Sequence, residues 1–244
     1  QQLALLGWSG VSVFDKPRTL LKVTETARQS IENKLDFDDF ALVHPVAAFD
    51  TKQWATENFA RIIEFLHDNN LKTVAVATSK ERETLSRLKE LCRVPIQTFD
   101  DLTLPEITAL SSRAKIFVGN DSGIAHIASA VQTPSVVIFG SSNVAHWRPF
   151  TDAPNEIVTE NLPCAPCAGY KCLQFETPHC IEQITVESVT NAVEKVLRES
   201  KLNQTLNDDS TWASDQRKHS YYYDDSHGYE IYNPDDDDDD ENEK

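Results

Sequence analysis

Two short blocks of this chain carry residues that could hold an anionic ligand. The first is Gly119-Asn120-Asp121-Ser122-Gly123-Ile124-Ala125-His126, where small residues turn the backbone sharply into an apolar helix. The first N–H groups of such a helix have no intrahelical partner, and together with the helix dipole they favour a pyrophosphate. Ser122 adds a hydroxyl donor, and His126, one turn in, can set an imidazole beside the anion. Taken alone, the Asp-Ser-Gly turn reads first as a plain N-cap with His126 packed or solvated. The second block is His44-Pro45-Val46-Ala47-Ala48-Phe49-Asp50-Thr51-Lys52-Gln53-Trp54, in which Lys52 offers a compact cation on a flexible stem. Trp54 reads as an anchor of that loop rather than a platform for a base. Thr78-Ser79-Lys80-Glu81-Arg82 places Glu81 where ribose hydroxyls could donate to it. An acid complementing the dipole in a first helical turn is an equal reading. Gly140-Ser141-Ser142-Asn143 is a fourth small, polar turn.

Each of these blocks follows a short apolar run. Ala41–Val43, Val74–Ala77, Pro95–Phe99, Lys115–Gly119 and Ser135–Phe139 read as five strands. Between them lie helical patterns. Thr56 can cap a helix whose apolar positions Phe59, Ile62, Ile63 and Leu66 follow the i, i+3, i+4, i+7 rule, and Leu85, Leu88 and Leu91 mark the next. Leu104–Arg113, Gly123–Val131 and Thr185–Glu199 complete the set. All-apolar strands alternating with such helices predict βαβ units, right-handed crossovers and a doubly wound parallel sheet covered on both faces. Ligands of such sheets bind beyond the carboxyl ends of the strands, where all four polar turns fall. The expected division is a connector over residues 1–39, with one helix near Thr24–Leu35, an α/β domain over 40–200, and a tail over 201–244. Residues 140–184 read as an irregular stretch.

The chain has 244 residues, 40% hydrophobic and 25% charged, with a formal net charge of −16. Residues 203–244 hold 14 Asp and Glu against Arg217, Lys218 and Lys244, so that segment carries −11 of the total. It includes six consecutive aspartates, Asp235–Asp240, and no apolar periodicity, which predicts a disordered acidic tail. No Lys/Arg-rich stripe argues for nucleic acid, and no apolar run reaches the roughly 20 residues that span a bilayer. No secretory signal is visible at Gln1-Gln2-Leu3, and the chain contains no Met, which suggests a fragment or processed product.

His44-Pro45, Thr51-Lys52-x-Trp54, Gly119-Asn-Asp-Ser-Gly-Ile-Ala-His126 and Phe139-Gly140…Trp147-x-Pro149 occur in an order and spacing that resemble the heptosyltransferase-type GT-B glycosyltransferases, glycosyltransferase family nine. The resemblance covers about residues 41–198, the donor-binding C-terminal half, and its most specific part is Asn-Asp-Ser-Gly-x-x-His. It implies a Rossmann-like domain that binds a nucleotide diphosphate sugar of the ADP-heptose kind. It also implies transfer to a lipid-linked, lipopolysaccharide-type acceptor at the cytoplasmic face of the inner membrane, with peripheral membrane contact. By motif position it assigns Thr51 and Lys52 to the donor phosphates and sugar, Glu81 to the ribose, and Asp121, Ser122, Gly123 and His126 to the pyrophosphate. No metal cofactor is required when Lys52, His126 and the helix N-terminus meet the charge of the departing diphosphate. Two departures stand out. Val46 occupies a loop position where the family usually has Gly. By the resemblance residues 1–35 read only as the final helix of the acceptor-binding half plus the interdomain linker, so that half and its general-base aspartate are expected to be missing from this chain, and Asp15 in the connector does not replace it. A non-catalytic nucleotide-sugar-binding module or inactive fragment is therefore the second reading.

Cys164, Cys167, Cys172 and Cys180, with His179 adjacent, have a spacing that could make a structural zinc site. Reduced thiols, an iron–sulfur site or two disulfides are the alternatives, disulfides being disfavoured in a cytosolic setting. Cys92 ends an amphipathic helix and reads as a small buried hydrophobe.

Overall fold

In the computed structural model, residues 5, 7–10, 19–167, 170–209, 220–224 and 228–232 are described. Six short runs form strands: β1 (Phe40–His44), β2 (Lys72–Val76), β3 (Ile96–Phe99), β4 (Ile116–Asn120), β5 (Ser135–Phe139) and β6 (Asn155–Thr159). They pair in parallel in the order β3-β2-β1-β4-β5-β6. The chain runs outward one way through β2 and β3, and then the other way through β5 and β6. The reversal falls between β1 and β4, whose carboxyl ends lie side by side with His44 opposite Gly119. β1, β4 and β5 are buried at every residue, as strands covered on both faces must be.

The helices divide between the two faces. On one side α2 (Thr56–Asp68), α3 (Arg82–Leu91) and the start of α8 (Val186–Asp209) pack on alternate strand residues, among them Ala41, Val43, Ala75, Val118 and Ile138. On the other side α1 (Glu25–Lys34), α4 (Leu104–Arg113) and α5 (Gly123–Ala130) cover Phe40, Leu42, Val74, Phe117 and Phe139. Two short helices, α6 (Val144–Trp147) and α7 (His179–Glu182), lie in the stretch between β5 and α8.

The sheet, its parallel pairing and the strand–helix alternation agree with the sequence reading. Two local features differ. The stretch over 140–184 contains β6, an edge strand half-buried along its length, whose Glu-Ile-Val-Thr run is too mixed to read as a core strand. The helix in the connector belongs to the core. Ala27, Ile31 and Leu35 are buried, and α1 is bonded to α4 through Glu106 Oε1, which accepts from Ser30 Oγ and Lys34 Nζ at 2.7 Å each. The same Glu106 completes a capping box with Thr103 at the start of α4, and these hydrogen bonds hold its carboxyl well below the ordinary range.

Residues Gln1–Arg198 form one compact unit and Glu199–Lys244 a second. In the second, strands β7 (Ser220–Asp224) and β8 (Gly228–Tyr232) make an antiparallel hairpin, and α8 runs on to Asp209. The Asp235–Asp240 run and Asp15 lie outside the described residues. Among the described residues no helix is long and apolar enough to cross a membrane.

Candidate functional site

At the carboxyl edge of the sheet, across the β1–β4 reversal, lies a cleft of about 450 Å³. Lys52, Glu81, Asp121, Ser122, Gly123 and His126 all line it, so six of the seven donor-site residues expected from the sequence meet in one place. They arrive on three different connections, after β2, β1 and β4, because parallel strands deliver their following loops to the same edge.

The loop after β1 is held from within. Gln53, the unassigned position of the Thr-Lys-x-Trp block, accepts from Ala47 N through Oε1 at 2.7 Å. Its Nε2 donates to the Pro45 and Trp54 carbonyls at 2.6 and 2.9 Å. Trp54 is fully buried and donates from Nε1 to the Ile184 carbonyl at 2.9 Å, so it anchors the loop. Val46, at the position where a glycine was expected, is buried in the core and has no positive φ. Thr51 is also fully buried, and its hydroxyl accepts from Ser141 Oγ at 2.8 Å. It is not part of the cleft lining, whereas its neighbour Lys52 is.

Lys52 Nζ donates to Asp121 Oδ2 at 2.7 Å, and Ser142 Oγ donates to the same oxygen at 2.6 Å. This three-residue junction binds together the turns after β1, β4 and β5. Ser142 was not assigned a role by spacing; the only signal for it is its place just beyond a strand end. Gly140 makes the junction close enough to form, since a Cβ there would stand 2.0 Å from the Thr51 carbonyl oxygen.

At the start of α5 the N-cap Ser122 makes no side-chain cap. Its hydroxyl sits 3.2 Å from His44 Nδ1 instead. Ser122 thus does not serve the first N–H groups of α5, and a Cβ on Gly123 would meet nothing within 4 Å beyond its own chain neighbours and helix backbone. The His44 imidazole is buried and pushed down to about 4, because burial outweighs the opposing pull of Glu81. His126, one turn into α5, is exposed to the cleft. Glu81 closes a capping box at the start of a helical turn, as one of its two sequence readings has it. Its Oε2 accepts from Thr78 N and Oγ1 at 3.0 and 2.8 Å, and its residue lines the cleft.

The four clustered cysteines line a separate cavity of about 430 Å³ together with His179 and Thr51. All five cysteines of the chain are free thiols. Burial first, and the other three thiols second, raise the Cys180 pKa. Among the described residues no three His, Cys, Asp or Glu side chains are gathered closely enough to hold one ion. Cys92 packs at the edge of the core, and burial followed by Glu64 raises its pKa to about 11.

The α5 N-terminus, a lysine and a carboxylate surround one cleft at a sheet reversal of an α/β domain, an arrangement that suits an anionic ligand. Residues 12–176 match the model of glycosyltransferase family 9 (heptosyltransferase), and the chain belongs to that family. Lipopolysaccharide heptosyltransferase 3 of Escherichia coli is 31% identical over 119 residues, which are 47% of this chain and 35% of that protein. Two solved structures share the fold. E. coli ADP-heptose lps heptosyltransferase II aligns with a TM-score of 0.65 at 18% identity, covering 78% of this chain and 56% of that one. The family 9 glycosyl transferase of Veillonella parvula aligns at 0.69 and 20%, covering 80% and 58%. The chain spans about a third to a half of the length of the curated relatives it matches, from 35% of one to 51% of another.

Proposed function

We propose that the cleft binds the diphosphate of a sugar nucleotide of the ADP-heptose class, and that the protein serves glycosyl transfer to a lipopolysaccharide-type acceptor. The observation that carries this is the convergence of Lys52, Gly123, His126 and Glu81 on one cleft at the sheet reversal. The Lys52 ammonium, the uncapped N–H groups at Gly123 and the His126 ring would face the two phosphates, and Glu81 would accept from the ribose. These groups also lie where negative charge grows as the glycosyl–phosphate bond breaks, which is where stabilisation accelerates transfer. Family membership and the names of the relatives, which include an ADP-heptose enzyme, support the donor class.

Titration calorimetry with ADP and ADP-heptose tests the binding step. Lys52→Gln keeps a donor for Asp121 while removing the charge, and it should weaken ADP by about ten- to hundredfold, as loss of a charge-assisted contact does. His126→Ala should weaken it too, with the unfolding midpoint unchanged in both variants. Unaltered ADP affinity in both would overturn the assignment. A parallel transfer assay with a lipopolysaccharide-core acceptor separates the two sequence readings: binding with transfer marks an enzyme, and binding without it a donor-binding module.

A further inference from the structure

Ser122 stands at the N-cap of α5 yet makes no side-chain cap. We propose that His44 is a positioning residue of the cleft, restraining the Ser122 hydroxyl so that the N-terminus of α5 stays open to the diphosphate. The inference rests on the cleft being the diphosphate site.

A serine at an N-cap ordinarily turns its oxygen onto an N–H of the first helical turn. Thr24 and Thr103, ahead of α1 and α4, do so: their Oγ1 atoms accept from Ala27 N at 3.3 Å and from Glu106 N at 3.4 Å. The Ser122 backbone is extended like theirs, with φ −153° and ψ 168° against −72° and 159° at Thr103. Rotation about one side-chain bond therefore separates it from a cap. Its oxygen sits instead 3.2 Å from His44 Nδ1. Asp121, the acceptor one residue earlier, is engaged by Lys52 and Ser142.

His44 is placed to hold the hydroxyl rather than to follow it. It is the last residue of β1, paired opposite Gly119 of β4, and only 8% exposed. Burial keeps its ring neutral near pH 7. A neutral imidazole has one donor and one acceptor nitrogen, so Nδ1 pairs with a hydroxyl in either tautomer. Were the Ser122 oxygen to swing onto α5, it would occupy an N–H group that an anion needs and set its lone pairs against the phosphate oxygens. The fold forgoes at α5 the cap that it makes at α1 and α4.

A double-mutant cycle on the full chain tests this. ADP is the calorimetric probe, and denaturant midpoints are read on the same proteins: wild type, His44→Leu, Ser122→Ala and the double variant. His44→Leu releases Ser122 to cap the helix and should weaken ADP about tenfold. Made on top of Ser122→Ala, it should leave ADP affinity unaltered, because no hydroxyl remains to fall back. Ser122→Ala should lower the denaturant midpoint only when combined with His44→Leu, where a cap is lost. His44→Gln keeps a partner for the hydroxyl and should bind ADP as the wild type does; should His44→Leu not fold, this variant decides in its place. An equal loss of ADP from His44→Leu with and without Ser122 would overturn the proposal, because His44 would then act on the ligand or the loop directly. Unchanged affinity in His44→Leu, or a tenfold loss in His44→Gln, would overturn it as well. A wild type that binds no ADP would refute the diphosphate reading and His44's part in binding with it, whereas the midpoints report on the restraint of Ser122 alone.

Discussion

Lys52 is already paired with an acid in the fold. Its pairing with Asp121 is partly buried, with side chains 22% and 6% exposed, and Ser142 completes the carboxylate. A diphosphate brings more negative charge than one carboxylate, so the pair aims the ammonium at the cleft without disabling it. His44 contributes differently. Buried and neutral, it sits against the Ser122 hydroxyl at the mouth of the site. Its pKa of about 4 lies below the ordinary 6.5, so between those values the unfolded chain binds a proton that the folded chain does not. Stability is complete above pH 6.5 and falls as pH drops towards 4, by about 3 kcal/mol for this group. His44→Gln cannot titrate there. Denaturant unfolding from pH 7 to 4 should therefore show a smaller acid loss in the variant by about that amount; parallel curves would mean that His44 does not remain neutral in the fold.

Two glycines at the edges of β5 and α5 are required for opposite reasons. Gly140 packs on backbone: an added Cβ would stand 2.0 Å from the Thr51 oxygen, and Ser141 N and Oγ bond to the same residue at 3.1 and 2.8 Å. Gly140→Ala must push the turn after β5 from the loop after β1, which should cost about 1–3 kcal/mol, as overpacking does, and weaken ADP through a displaced Lys52. Gly123 faces open space. Gly123→Ala should leave stability unchanged or raise it by up to about 1 kcal/mol through helix propensity. Its methyl would nevertheless fill the room a phosphate needs before the N–H groups of α5. Denaturant midpoints and ADP titrations on both variants separate these cases; a destabilised Gly123→Ala, or a Gly140→Ala that binds normally, would contradict them.

The molecule divides its labour between the two ends of its strands. At the carboxyl edge three connections meet around the ligand space, whereas the amino edge closes the core. There Arg113, at the end of α4, donates from Nη2 to the Phe37 carbonyl at 3.2 Å and to Asp38 Oδ1 at 2.6 Å, just ahead of β1. Lys115 and Asp39 pair nearby at 3.4 Å. Arg113→Ala should lower stability by about 1 kcal/mol, the scale of one lost hydrogen bond to a carbonyl, and leave ADP affinity untouched. Lys52→Gln should do the reverse. Thermal unfolding and calorimetry on the pair check this, and an Arg113→Ala that loses ADP binding would mean that the two edges are coupled.

Much of this is written locally in the chain. Leu104–Arg113 is a helix between the residues read from its pattern, because Thr103, Pro105 and Glu106 start it within a few positions. The strands are legible because both their faces are buried, which makes them continuous apolar runs. The polar turns that follow them could be named as a site since a parallel sheet sends such turns to one edge. What could not be read is which turn touches which. The Lys52–Asp121–Ser142 junction, the contact of Tyr170 with Phe49 and the Ser141–Thr51 hydrogen bond depend on β1, β4 and β5 lying side by side. Likewise α1 buries Ala27, Ile31 and Leu35 where it meets α4, whose Glu106 accepts from Ser30 and Lys34. Hydrophobic period and capping act over one or two turns of chain, whereas these contacts join distant segments, and their geometry exists only once the sheet has ordered its strands.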